Sequence, residues 1–200
     1  MRTVWYVATP MIEIKARRRA NTLFAPIGKA LARVGVRAWH VTLFGLLTAV
    51  AGAALIAAGR LRLGVGFVLL GSGIDALDGA VARARGSVSA RGALLDSLTD
   101  RVGETAMWTG LALAVSETPA WVALCVASLG GSLLISYLRA KVEMNGIDGR
   151  GGIMGRAERL ILFGAGILSG WIGPMLWAMV ALVWITVVQR FWIGWKRLDE

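Results

Sequence analysis

Apolar blocks long enough to cross a bilayer fill most of this chain, and they leave one class of fold open. They run over residues 41–59, 63–81, 92–116, 121–140, 160–171 with some extension, and 174–192. A spanning helix needs about 20 apolar residues, because hydrocarbon offers no partner to backbone N–H and C=O groups and the helix must satisfy them itself. With 56% of positions hydrophobic, the reading is an all-α integral membrane protein with six transmembrane helices. One domain is expected over residues 1–200: an interfacial segment at 1–37, a six-span bundle at 41–192 and a tail at 193–200.

The segment before the first block divides in two. It opens apolar and turns basic at Lys15, Arg17, Arg18 and Arg19, the reverse of a secretory signal, so it is expected to be retained. Ala20, Leu23, Ile27, Leu31 and Val34 then recur at three- and four-residue steps, with Lys29 and Arg33 off that stripe. This is the pattern of an amphipathic helix lying in the membrane interface. In the first block, Gly45, Gly52 and Gly59 form a seven-residue series suited to close helix contact.

The formal net charge is +10, and its distribution sets the orientation. Basic residues gather before the first block, between the second and third (Arg83, Arg85, Arg91), between the fourth and fifth (Lys141, Arg150, Arg156, Arg159) and after the sixth (Lys196, Arg197). The alternate connections hold little beyond Arg60, Arg62 and Glu117. By the positive-inside rule both termini are cytoplasmic. In a membrane protein such charge serves anionic lipid headgroups, and no nucleic-acid partner is expected. The lone Cys125 excludes a disulfide framework, and the single His40 reads as a helix-start residue.

Four carboxylates interrupt the hydrocarbon-seeking sequence. Asp75, Asp78, Gly79, Ala82, Arg83, Gly92, Asp96 and Asp100 follow the pattern D-x2-D-G-x2-A-R-x8-G-x3-D-x3-D. Asp75 and Asp78 share one helix face, Asp96 and Asp100 share another, and the two helices are consecutive and antiparallel, so the four converge near the cytoplasmic side. Unpaired charge there costs several kcal/mol. Hard oxygen ligands so gathered suit one or two Mg²⁺ or Mn²⁺ ions that share coordination with substrate phosphates. Gly79, Ala82 and Gly92 remove bulk beside the carboxylates, and Arg83 reaches phosphate oxygens.

This string resembles, at every fixed position, the motif of the CDP-alcohol phosphatidyltransferases, membrane enzymes of six transmembrane helices that usually act as homodimers. The resemblance implies transfer of a phosphatidyl group from a CDP-linked lipid such as CDP-diacylglycerol to an alcohol, with release of CMP. It implies metal ligation by Asp75, Asp78 and Asp96, with Asp100 as the base that also touches metal. It implies CDP-lipid contacts at Gly79, Ala82, Arg83, Ser89 and Thr42. The last stands in Ala38-Trp39-His40-Val41-Thr42, which lacks the Pro and Asp/Asn common there in the family.

Arg139 and Lys141 close the fourth block, Arg156 and Arg159 open the fifth, and Arg190 stands among apolar neighbours in the sixth. Buried arginine calls for an anion, so a phosphorylated polyol is the expected acceptor. The strings around Arg139, Arg156 and Arg190 are similar to those of prokaryotic phosphatidylinositol phosphate synthases, which implies that these three hold the phosphate of inositol 1-phosphate. Phosphatidylglycerophosphate synthases share much of this text, and Gly155 replaces an acidic residue of the inositol branch, so glycerol 3-phosphate stands as the alternative. An ion transporter would also carry acids in its spans, but with broken helices and repeat symmetry that this chain lacks.

Overall fold

A computed structural model describes residues 24–198, and among these all regular structure is helical. The elements are α1 (24–33), α2 (Ala38–Ala57), α3 (Leu61–Asp75), α4 (Asp78–Ala84), α5 (Ala90–Ala114), α6 (Pro119–Glu143), α7 (Arg156–Ser169) and α8 (Ile172–Leu198). The first part of the expected interfacial helix, residues 1–23, lies outside the described residues, and α1 covers the rest of it. His40 accepts a hydrogen bond at Nδ1 from the Arg37 N–H (3.2 Å) and so caps the start of α2.

Among the described residues, four helical stretches are long and apolar enough to cross a membrane: Ala38–Ala57, Leu61–Ala84 (α3 with α4), Pro119–Glu143 and Ile172–Leu198. The remaining two expected spans differ for physical reasons. The first half of α5 holds Arg91, Asp96, Asp100, Arg101 and Glu104, and α7 has 14 residues, a rise of about 21 Å against about 30 Å of hydrocarbon.

Some expected boundaries move. The second block, read as one helix over 63–81, is divided at Ala76 and Leu77, where the Leu77 N–H bonds the Ile74 carbonyl at 2.9 Å in the tighter 3₁₀ manner. Both residues keep right-handed helical angles, so the chain direction persists while Asp75 ends α3 and Asp78 begins α4. Gly71 and Gly73 just before the break weaken the helix there. The tail expected at 193–200 is helix through Leu198. Gly59 sits beyond α2 with φ of 78°, so it makes a turn and not a helix contact.

Gly45 and Gly52 do form the seam that the sequence suggested. A Cβ on Gly52 would stand 2.6 Å from the Gly64 carbonyl oxygen, and one on Gly71 2.6 Å from that of Gly45. Backbone thus meets backbone at two points along the α2–α3 crossing, which holds Asp75 beside α2. Gly71→Val should lower the unfolding free energy in detergent by about 1–3 kcal/mol, the usual cost of overpacking; an unchanged midpoint would mean the helices part without penalty. In the apolar core Trp108 meets Phe163 edge-on, centroids 5.3 Å apart, in one cluster with buried Leu111, Leu176 and Met179. Cys125 is buried and free, a packing residue.

Candidate active site

The end of α3, the start of α4 and the first turns of α5 bring the motif acids together. Asp75, Asp78 and Asp96 each offer a carboxylate oxygen, all within 4.8 Å of one another. Asp75 is buried, and its Oδ1 has no hydrogen-bond partner among the described residues. Three hard oxygens at this separation, one of them buried and unsatisfied, fit a divalent cation. Asp78 is held by Thr42, whose hydroxyl donates to its Oδ2 at 2.6 Å. Thr42 therefore orients an acid of the cluster, a contact that reading it as a substrate residue alone did not foresee.

Asp100 stands outside that group of three oxygens. It pairs with Arg156, whose Nη1 also lies 3.3 Å from Asp75 Oδ2, while Arg101 Nη1 is 3.8 Å from its other oxygen. One guanidinium from the first turn of α7 thus bridges Asp75 at the end of α3 and Asp100 on α5. Spacing within the motif gave no hint of this, because Arg156 lies far along the chain.

Two cavities meet at the cluster. The smaller, about 190 Å³, is lined by Thr42, Gly79, Ala82, Arg83 and Ser89 together with Asp78 and Asp96, so every residue expected at the CDP-lipid lines one cavity. A Cβ on Gly79 would stand 3.2 Å from Arg83 Nη1, the movable end of that side chain. Ser89 also caps α5, accepting the Gly92 N–H at 3.1 Å. The larger cavity, about 490 Å³, is lined by Asp75, Asp100, Arg139, Arg156 and Arg190, and shares Asp78, Arg83 and Asp96 with the smaller.

The basic residues of the larger cavity already have partners. Arg139 Nε donates to Glu143 at 2.8 Å. Arg190 donates from Nε to the Gly151 carbonyl (2.9 Å) and from Nη1 to that of Ile135 (3.0 Å), so its apolar surroundings are answered in part by backbone oxygen. Arg159, grouped with the anion-binding residues by sequence, lines this cavity with Glu104 and is already paired with it. It is buried, and its Nε and Nη2 form a fork with Glu104 at 2.8 and 3.1 Å. Glu104 escaped notice, although it continues the four-residue step of Asp96 and Asp100 along α5.

Residues 36–192 match the profile of the CDP-alcohol phosphatidyltransferase family. The chain belongs to that family. It is a membrane-bound CDP-alcohol phosphatidyltransferase and acts in phospholipid biosynthesis. Its relatives include the phosphatidylinositol phosphate synthase of Mycolicibacterium smegmatis, 37% identical over an alignment of 172 residues that covers 83% of this chain and 78% of that one. The archaetidylinositol phosphate synthase of Methanothermobacter thermautotrophicus is 36% identical, over 83% of this chain and 87% of its own. Among solved structures, the Mycobacterium tuberculosis phosphatidylinositol phosphate synthase with CDP-DAG bound superposes with a TM-score of 0.81 at 33% identity, covering 87% of this chain and 94% of that one. The same enzyme in complex with manganese and citrate gives 0.80 at 33% identity, over 86% and 88%. With an enzyme family established, the transporter alternative falls.

Proposed function

We propose that this transferase passes the phosphatidyl group of CDP-diacylglycerol to inositol 1-phosphate, giving phosphatidylinositol phosphate and CMP. The observation that carries the reading is the shared wall of the two cavities: Asp78, Arg83 and Asp96 face both, so two phosphate-bearing molecules would meet there. The smaller notch, floored by glycine and alanine, suits the CDP moiety of the lipid at Thr42, Gly79, Ala82, Arg83 and Ser89. The larger suits an anionic acceptor at Arg139, Arg156 and Arg190.

The acceptor hydroxyl attacks the lipid-side phosphorus, a new P–O bond forms, and the bond to CMP breaks. Asp100, on the acceptor side of the acids, takes the hydroxyl proton. Asp75, Asp78 and Asp96, with Asp100 adjoining, would hold Mg²⁺ or Mn²⁺, two ions in this reading, whose charge offsets that building on the phosphoryl oxygens and on departing CMP. The manganese complex of the Mycobacterium tuberculosis enzyme supports divalent metal use.

The choice of inositol phosphate over glycerol 3-phosphate rests on the relatives, two of which are inositol phosphate lipid synthases by name. The missing acid at Gly155 weighs less than it did in sequence. A Cβ there would lie 2.6 Å from Glu158 Oε2, so a carboxylate from the next turn already covers the position.

The proposal extends to the membrane arrangement: six spans, with α5 and α7 completing the four apolar ones, a single domain, an interfacial helix before it, and cytoplasmic termini and active site. The clustering of Lys and Arg supports that orientation. A homodimer is the assembly the family resemblance implies.

The test is CMP release from CDP-diacylglycerol with inositol 1-phosphate, glycerol 3-phosphate and free inositol supplied in turn. Turnover with the first and little with the others is expected; preference for glycerol 3-phosphate would move the enzyme to the other branch. Arg190→Ala should raise the acceptor KM about tenfold or more while the CDP-lipid KM changes little, as loss of one charged hydrogen-bonding group predicts. Equal rises in both would remove Arg190 from the acceptor pocket.

A further inference from the structure

The segment between α6 and α7 lies against one face of α8 and is fastened there by side chains. Thr186 Oγ1 accepts the Met154 N–H (3.1 Å), and Gln189 Oε1 accepts the Ile153 N–H (3.1 Å). Arg190 Nε donates to the Gly151 carbonyl at 2.9 Å, and Arg197 Nη1 to that of Asp148 at 2.6 Å. Positions 186, 189, 190 and 197 repeat at helical spacing, so one stripe of α8 satisfies a loop backbone that forms no ladder of its own.

The approach is close. Gly152 has φ of 85°, in the left-handed region that favours glycine, and a Cβ on it would come within 2.5 Å of the Thr186 methyl carbon. Thr186 is fully buried, its hydroxyl also donating to the Leu182 carbonyl at 2.8 Å. Neither Thr186 nor Gln189 lines the cavity that holds the acids. Two residues beyond Met154 the chain enters α7, whose first residue is Arg156, the guanidinium that bridges Asp75 and Asp100. The Gly155 cap of α7 has no side chain to hold that helix end, and the fastened loop leads directly into it.

We propose that Thr186 and Gln189 are positioning residues for the acceptor: by pinning Ile153 and Met154 to α8 they fix the start of α7 and thereby the placement of Arg156 in the acceptor cavity. The proposal rests on the reading of that cavity as the acceptor site. It makes acceptor affinity depend on two hydrogen bonds made away from the cavity, and leaves the CDP-lipid notch, built from α2, α4 and α5, untouched.

The experiment measures KM for each substrate in Thr186→Val, which keeps shape and loses the acceptor oxygen, and in Thr186→Ser, which keeps it. The varied acceptor is inositol 1-phosphate, or glycerol 3-phosphate where the wild type prefers it. Thr186→Val should raise the acceptor KM roughly tenfold, the scale of one hydrogen bond left unmade, with the CDP-lipid KM within about twofold, and Thr186→Ser should restore the wild-type value. Gln189→Leu, at a half-buried position, provides the same measurement should the valine variant fail to fold. Wild-type acceptor KM in a folded Thr186→Val or Gln189→Leu enzyme overturns the positioning role, as do equal rises for both substrates. Arg156→Ala is the companion: if it raises the acceptor KM while those variants do not, only this inference fails. If it too leaves the acceptor KM unchanged, the reading of the cavity fails and the inference with it.

Discussion

Asp100→Asn should give a protein that folds as the parent does and releases CMP at least about 100-fold more slowly, the lower end of what a positioned general base contributes. The amide keeps the volume and planarity of the carboxylate but has no site for the acceptor's proton. Its position supports the assignment: Asp100 lies on the wall of the larger cavity and outside the three-oxygen group of Asp75, Asp78 and Asp96. The substitution also weakens the pair with Arg156, and the two consequences separate kinetically. Loss of the base lowers kcat at saturating acceptor, whereas a displaced Arg156 raises the acceptor KM. Near-normal kcat in purified Asp100→Asn protein would take the proton-acceptor role away from this residue.

The legible part of this molecule was the part in which chemistry repeats at short, fixed intervals. The convergence of Asp75 and Asp78 with Asp96 was legible from spacing alone, although Asp75 and Asp78 fall on α3 and α4 and not on one helix. The small residues beside them foretold a notch that Thr42, Gly79 and Ala82 line. The α2–α3 seam was legible in Gly45 and Gly52, although the same series misled at Gly59, because seven-residue spacing does not say where a helix stops. Helix ends were harder to read. Apolar content marks where hydrocarbon lies, and α6 and α8 run past that into polar residues because a helix does not need an apolar surface to continue.

What escaped the sequence was long-range pairing. Arg156 meeting Asp75 and Asp100, Arg159 meeting Glu104, and Thr186 meeting Met154 join residues separated by 81, 55 and 32 positions for the bonds to Asp75, Glu104 and Met154 respectively. No local periodicity encodes such partners. Arginines in one basic cluster look alike in sequence, yet burial sets them apart: both border the larger cavity, but the Arg156 side chain is 36% exposed, whereas that of Arg159 is 4% exposed and forked with a carboxylate.

That difference yields the largest expected effect on stability. Glu104→Leu leaves the Arg159 guanidinium buried, without its forked partner, and should cost about 3–5 kcal/mol of unfolding free energy, the range for removing one member of a buried ion pair. The Glu104 side chain is 10% exposed and that of Arg159 4%, both at the edge of the larger cavity, so water from that cavity replaces the lost carboxylate only in part. Arg159 Nη1 retains only the Met154 carbonyl at 3.4 Å, a long bond that would not compensate. Replacing both residues with apolar ones of similar size should recover most of the loss, because the double variant buries no charge and fills the same space. A double-mutant cycle on denaturation midpoints in detergent measures this directly, with a favourable Glu104–Arg159 coupling energy well above 1 kcal/mol expected. If Glu104→Leu alone cost less than about 1 kcal/mol, the pair would be behaving as surface ion pairs do, and the tie between α5 and α7 would have to come from the apolar contacts around Trp108 and Phe163 instead.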